Sequence, residues 1–349
     1  MKKRQVRGGL FAGAAGLAIT LGIAFAFAII LMFVLSRQPL TTIYYFFVGP
    51  LTNRFYFGNM LNMAIPLVFT GLGISIAFKA SVFNLGGEGQ VYAGGLAATV
   101  VCLALPAANG YLGGSAALAG ALVTGAVLAG LSGWFKMKWG TNELISSFLI
   151  SAGVIFIVHY FITGPLDDPN NNLLATYAIG GQYRLLGIYP PSKLDASGVF
   201  SVLVAGLVFF LMYYTHRGYE MRMCGLNREF SRYGGINVSA YMVLPMILSG
   251  ALHGVAGAVS VMGTHHVALK GFSGGMGWNG IAVALIAKNH PLGVVPAAVF
   301  FAYLEAGARA AMLHSDVTFE IAAVVQSVIF YLVTAQALYG AVRRRRSPR

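Results

Sequence analysis

The stretch LFAGAAGLAITLGIAFAFAIILMFVL, Leu10–Leu35, holds no charged residue from end to end. It exceeds the ~20 apolar residues that an α-helix needs to cross a ~30 Å hydrocarbon core. It is also too long for the ~7–15-residue apolar core of a cleaved signal peptide. It therefore reads as a retained transmembrane helix. Composition extends that reading to the whole chain of 349 residues. Charged residues make up 9% against 57% hydrophobic, and the mean hydropathy is +0.74. A soluble domain carries about 25% charged residues. With so few charges the outer surface must face lipid.

Outward from that stretch, apolar runs bounded by charges or turn residues predict spans at 10–36, 58–79, 86–105, 113–134, 143–163, 197–215, 238–263, 276–287, 291–313 and 319–341. The fold class is thus an all-α, polytopic integral membrane protein of about ten transmembrane helices in one domain, 1–349. The eighth run is too short to cross alone and reads as a half-helix. Pro291, after Lys288-Asn289-His290, separates it from the ninth. With the N-terminus inside, alternation leaves only Arg37, Arg54, Arg184, Lys193, Lys270 and Arg309 outside, of 23 Lys and Arg in all. That asymmetry supports both ends inside. It places residues 1–9 in the cytoplasm, a polar loop with room for a short helix or hairpin at 164–196 outside, and a basic loop at 216–237 inside. The basic tail at 342–349, with Arg343–Arg346, would sit at anionic lipid headgroups. The net charge of +13 is therefore loop charge that orients the protein, and no nucleic-acid partner is expected.

Few residues in the spans could carry chemistry. Glu88 lies in the run Gly86-Gly87-Glu88-Gly89-Gln90 at the start of the third span. An intramembrane acid is costly and points to function, or else it pairs structurally, with Lys79 as the near candidate. Asn142-Glu143 opens the fifth span, where a cap and a dipole-favoured carboxylate are expected, or a contact at the inner gate. Glu305 and Arg309 have the i,i+4 spacing of an intrahelical ion pair. His253 reads as a neutral, hydrogen-bonded histidine between helices. His265-His266 lack the neighbours of a metal site, so no metal is expected. Cys102 and Cys224 lie at different depths, which argues against a disulfide. No phosphate-binding loop or nucleophile elbow occurs, so no catalytic residue is expected and the energy source must lie elsewhere. Phe83–Gln90 and Phe272–Gly277, both Gly-rich, open spans that run in opposite directions, as an inverted repeat would.

Four stretches, in order, carry a resemblance. Phe83-Asn84-Leu85-Gly86-Gly87-Glu88-Gly89-Gln90, Asn142-Glu143-Leu144-Ile145-Ser146, Gly225–Ile236, and Gly280–Leu285 with Asn289-His290-Pro291-Leu292-Gly293 are similar to motifs of ABC-importer permeases of the nucleoside and simple-sugar group. The resemblance covers about residues 55–340. It implies a permease subunit in the cell inner membrane that binds no cofactor itself. A cytoplasmic ABC ATPase would use ATP and Mg, and a second permease, either a copy or a different chain, would complete the membrane part. An extracytoplasmic lipoprotein would deliver the solute.

It further implies that Gly225, Asn227, Arg232, Tyr233, Gly234 and Gly235 belong to a coupling helix seated on the ATPase. The pathway would be walled by the uncharged polar groups of Asn84, Gln90, Ser151 and Asn279, which suit a neutral solute, with Glu88 also on it and Asn142 and Glu143 at a gate or partner contact. Arg228 stands where the group has proline, Phe230-Ser231 where it has Ala-Ala, and Ser151 where it has asparagine. The alternative is a gradient-driven carrier or channel for a small polar solute. An intramembrane enzyme would need a converging acid, base or metal constellation, which the sequence does not offer.

Overall fold

The computed structural model describes residues 22–23, 25–105 and 109–318, with Val324, Ser327, Val328 and Tyr331. The N-terminal segment at 1–9, much of the first predicted span, the tenth span at 319–341 and the tail at 342–349 lie outside the described residues, apart from those four positions.

The described chain is mostly helical. We number the helices α1 Phe25–Leu35, α2 Pro39–Phe47, α3 Arg54–Lys79, α4 Gly87–Ala104, α5 Gly110–Trp139, α6 Glu143–Ile162, α7 Ser197–Tyr214, α8 His216–Leu226, α9 Arg228–Tyr233, α10 Ala240–Val259, α11 Met276–Ile286 and α12 Pro291–His314. Among the described residues β-structure is confined to isolated bridges, two of them within the 164–196 segment. Six helices are long and apolar enough to cross a membrane: α3, α5, α6, α7, α10 with its continuation to His265, and α12. α4 matches α7 in length, 18 residues, but carries Glu88 and Gln90 in its first turn.

Local chemistry sets the helix ends. The Asn109 side chain accepts from Tyr111 N and caps α5, and Gly140 closes that helix in the left-handed conformation. The Thr215 side chain accepts from Gly218 N to start α8. α11 ends through Lys288 and Asn289, both at positive φ, and Pro291 then opens α12. Proline at a first helical position lacks only an N–H that would have no helical partner. The break between the eighth and ninth predicted spans is therefore made one turn before the proline, which starts the next helix.

The chain forms two compact units. The first comprises the described residues up to 60 and from 300 onward. In it Tyr303 donates to Phe47 O at 2.6 Å, the Tyr45 ring stacks on His314, and Asp316 accepts from Ser36 Oγ and Arg37 N. Glu305 and Arg309 form the expected ion pair at 2.7 Å. Helix α2 in this unit was not among the predicted spans; its nine residues end at Phe47, just before the turn Gly49–Leu51, and are too few to cross.

The second unit comprises residues 61–299. Its centre is the crossing of α4, α5 and α10, where backbones approach without intervening side chains. A Cβ on Gly250 would collide with the Gly125 carbonyl, and one on Gly254 with the Ala121 carbonyl. Small residues permit such approach between membrane helices. α10 continues into a π-helical turn, Ser260–His265. The 164–196 segment packs on that turn: Leu185 N donates to Met262 O at 3.1 Å, Ile179 N to His266 O at 3.0 Å and Thr176 N to Ala268 O at 3.1 Å. Asp195 of the same segment accepts from Ser197 N at the start of α7. Its burial pushes the carboxyl up, against the pull of the Ser197 hydroxyl and N–H.

Candidate functional site

Helix α4 begins in the middle of the unit, and its first turn is the most polar buried place among the described residues. Asn84, Glu88, Gln90, Ser147, Ser151, Ser249, His253 and Ser273 are all buried there. Asn84 and Gln90 form a reciprocal pair. Asn84 Nδ2 donates to Gln90 Oε1 at 2.8 Å, and Gln90 Nε2 donates to Asn84 Oδ1 at 2.9 Å. Asn84 also donates to Ser249 Oγ of α10 and accepts from Gly86 N. Helix α6 joins from the other side: Ser147 Oγ accepts from Leu85 N at 3.1 Å, and Ser151 Oγ from Gly89 N at 2.8 Å. The N–H groups of Leu85, Gly86 and Gly89, around the start of α4, are thus met by side chains.

Glu88 ties this turn to α11. Its carboxylate accepts from Gly277 N at 2.9 Å, Gly275 N at 3.2 Å and the Ser273 hydroxyl. A buried carboxylate at the N-terminus of a helix meets free N–H groups and the positive end of the dipole. The Lys79 partnership considered from sequence is replaced by this set of donors. The approach is so close that a Cβ on Gly277 would lie 2.5 Å from the Gly87 carbonyl carbon and 2.6 Å from Glu88 Cα. The two Gly-rich segments noticed in the sequence therefore meet, and Glu88 is their bond.

His253 lies behind them. Its Nδ1 is 2.7 Å from Ser249 O. A carbonyl only accepts, so the proton of the neutral ring sits on Nδ1. Nε2 then presents its lone pair beside Gly87, without a hydrogen-bond partner among the described residues.

The other predicted residues lie apart from this cluster. Asn279, two residues beyond Gly277, is half-buried on α11; its neighbour Trp278 is partly exposed and tilts against Phe148 of α6. Asn142 caps α6, accepting from Leu144 N at 2.9 Å, and Glu143 is ion-paired with Lys136 of α5. Loss of such a cap costs about 1 kcal/mol. Asn142→Ala is accordingly expected to lower the thermal midpoint of the detergent-solubilised protein slightly; an unchanged midpoint would remove the capping role.

Gly225 to Gly235 occupy the α8–α9 joint. Asn227 caps α9, its side chain accepting from Phe230 N at 3.0 Å, and Gly235 turns the chain at φ 77°. Leu226, Phe230 and Tyr233, spaced four and three apart, are 80%, 62% and 91% exposed. Phe230 and Tyr233, three apart on α9, share one face of that helix, and Leu226 ends α8 just before the extended Asn227. The sequence reading missed Ser147, Ser249 and Ser273 as partners. Ser249 and His253 gave a signal, two polar residues four apart in an otherwise apolar helix; Ser273 gave none.

The comparisons with known proteins agree with this architecture. The family described as "Branched-chain amino acid transport system / permease component" matches residues 56–334. A probable riboflavin import permease protein of Treponema pallidum (strain Nichols) is 36% identical over 330 residues, covering 94% of this chain and 87% of that protein. A guanosine ABC transporter permease protein of Bacillus subtilis (strain 168) is 29% identical, with 80% and 81% covered. A glucose ABC transporter permease protein of Haloferax volcanii is 29% identical, with 86% and 82% covered. The match spans both Gly-rich segments, the buried polar turn and the α8–α9 joint, and the chain belongs to this permease-component family, as a multi-pass membrane subunit of an ABC transporter.

Proposed function

We propose that the chain lines the translocation pathway of an ATP-driven importer for a nucleoside or a related sugar-bearing, uncharged solute. The observation that carries the proposal is the exposure of three large side chains at the α8–α9 joint, Phe230 and Tyr233 on α9 and Leu226 at the end of α8. Large apolar side chains grouped on an otherwise basic, polar loop mark a protein-docking surface. A cytoplasmic ATPase is the partner that a permease without its own nucleotide site requires. ATP and Mg act on that subunit, and this chain holds no cofactor. A second permease, identical or different, and an extracytoplasmic binding lipoprotein complete the assembly. The finer topology belongs to the same reading: ten helices, both ends in the cytoplasm, 216–237 inside, 164–196 outside, and an inverted repeat related through Phe83–Gln90 and Phe272–Gly277.

Substrate class is inferred from chemistry shared by the relatives. Riboflavin, guanosine and glucose, named for them, are all rich in hydroxyls. Uncharged amides and hydroxyls suit such solutes. Asn279, half-buried beside Trp278 and Phe148, is the first candidate to meet solute, with the two rings as stacking surfaces. Asn84, Gln90 and Ser151 bond one another or the backbone. They would reach solute in a state where α11 has moved off Glu88.

The test is a mild-detergent pull-down of the tagged chain with mass spectrometry, followed by uptake of labelled guanosine, riboflavin and glucose in cells with and without it. Recovery of an ATPase, with chain-dependent uptake of one of these, is the expected result. Recovery of this chain alone, with transport persisting in ATP-free liposomes, would replace the proposal by the gradient-driven carrier.

A further inference from the structure

The end of α3 and the segment leading to α4 sit directly on the α8–α9 joint. Arg228 Nη2 donates to Ser81 O at 2.8 Å. In return Ser81 Oγ donates to Gly225 O at 2.8 Å. Gly225 itself lies against the Lys79 carbonyl, where any Cβ would collide. Ser81 is held at φ 52°, a conformation that non-glycine residues seldom adopt. Val82 and Asn84, just beyond it, are fully buried. From Asn84 the bonds run to Gln90 and Ser249, and four residues further Glu88 holds α11. The side chain of Arg228 is thus the first member of a route that runs by hydrogen bond to Ser81, along the buried backbone through Val82 and Asn84 to Glu88, and by hydrogen bond to the N-terminus of α11.

The local helix does not need that side chain. Arg228 is the first residue of α9, a position that proline fills well, and the Asn227 side chain supplies the cap. What arginine adds is reach and a permanent charge on a donor aimed at a backbone carbonyl, which makes the bond stronger than a neutral one.

We propose that Arg228 is a positioning residue for transport: its bond to the Ser81 carbonyl carries displacement of the α8–α9 joint into the buried polar turn and on to α11. The proposal rests on the reading of that joint as the ATPase-docking surface. An interior packed to this density transmits a shift of one element to the next.

The test uses the full chain with the ATPase that copurifies with it. Cys102 and Cys224 are replaced by alanine and Asn279→Cys serves as reporter, read by its rate of reaction with a water-soluble maleimide, with and without Mg and a non-hydrolysable ATP analogue. With Arg228 present, the nucleotide is expected to change the rate about fivefold or more, the lower range of ordinary coupling between sites. Arg228→Met and Arg228→Pro, the second of which preserves the start of α9, are expected to retain the ATPase in equal amount while the rate no longer responds. Arg228→Lys is expected to restore most of the response.

A variant that keeps the ATPase and still responds fully would overturn the proposal. So would loss of the ATPase in both variants, which would make Arg228 a docking residue. Failure of both to accumulate in the membrane would make its role structural and would equally overturn it. A silent reporter in the Arg228 protein, with ATPase bound, would show that this route carries no motion to α11. Absence of any ATPase from the Arg228 protein would instead defeat the docking reading beneath it.

Discussion

Glu88→Ala is expected to give a protein that inserts but melts well below the parent, with α11 detached from the start of α4. The carboxylate satisfies Gly275 N, Gly277 N and the Ser273 hydroxyl in a buried place. Each buried donor left without an acceptor costs about 1–3 kcal/mol. Two backbone N–H groups alone therefore put the expected loss at about 4 kcal/mol, less whatever water recovers by entering. Glu88→Gln keeps one carbonyl oxygen but turns an NH2 toward a donor, so it should fall between alanine and parent. Thermal unfolding in detergent, followed by the loss of monodisperse protein, measures all three. If alanine and parent melt together, the carboxylate is not the bond between the two segments, and Glu88 would return to consideration as a group that meets solute. A charge-specific solute role predicts the opposite pattern: unchanged melting with lost uptake.

The helices were legible in the sequence where punctuation was strong. The predicted span 276–287 and α11 at Met276–Ile286 agree because glycines precede the helix and Lys288–Asn289 follow it. The start of α6 at Glu143 was legible because Asn142 is a cap by residue type. Hydropathy hid α2, since Pro39–Phe47 is shorter than any span and was absorbed into a connection. It also hid the division of the 216–237 loop into α8 and α9, where polar residues give no apolar period and the joint is set by the Asn227 cap.

The site was legible as residue types and illegible as bonds. Glu88 stood out because a buried acid is rare, yet the nearest lysine in sequence was the wrong partner. Its donors are a hydroxyl and two N–H groups some 185–189 residues away, and backbone N–H groups leave no mark in a sequence. The Arg228 contact was hidden for the same reason, because its acceptor is the carbonyl of Ser81.

Phe230→Glu with Tyr233→Glu is expected to abolish retention of the ATPase while leaving the permease in the membrane with an unchanged thermal midpoint. Both side chains are largely exposed, so their loss removes little from the fold. The neighbours that hold the joint together remain: the Asn227 cap, the Ser81 Oγ bond to Gly225 O and the Arg228 bond to Ser81 O. Exposed aromatics that fill a partner's pocket are worth about 2 kcal/mol or more each on truncation. The pair should therefore weaken docking by about three orders of magnitude, since each 1.4 kcal/mol is tenfold. Introducing carboxylates adds desolvation to that loss. These two positions separate docking from folding better than Gly235 does, because a side chain at φ 77° would strain the turn itself. Pull-down measures retention, and melting measures the fold. Full retention by the double variant would place the ATPase contact elsewhere on the chain. Loss of both retention and thermal stability would mean that these exposed rings are buried in the fold, contrary to their exposure here.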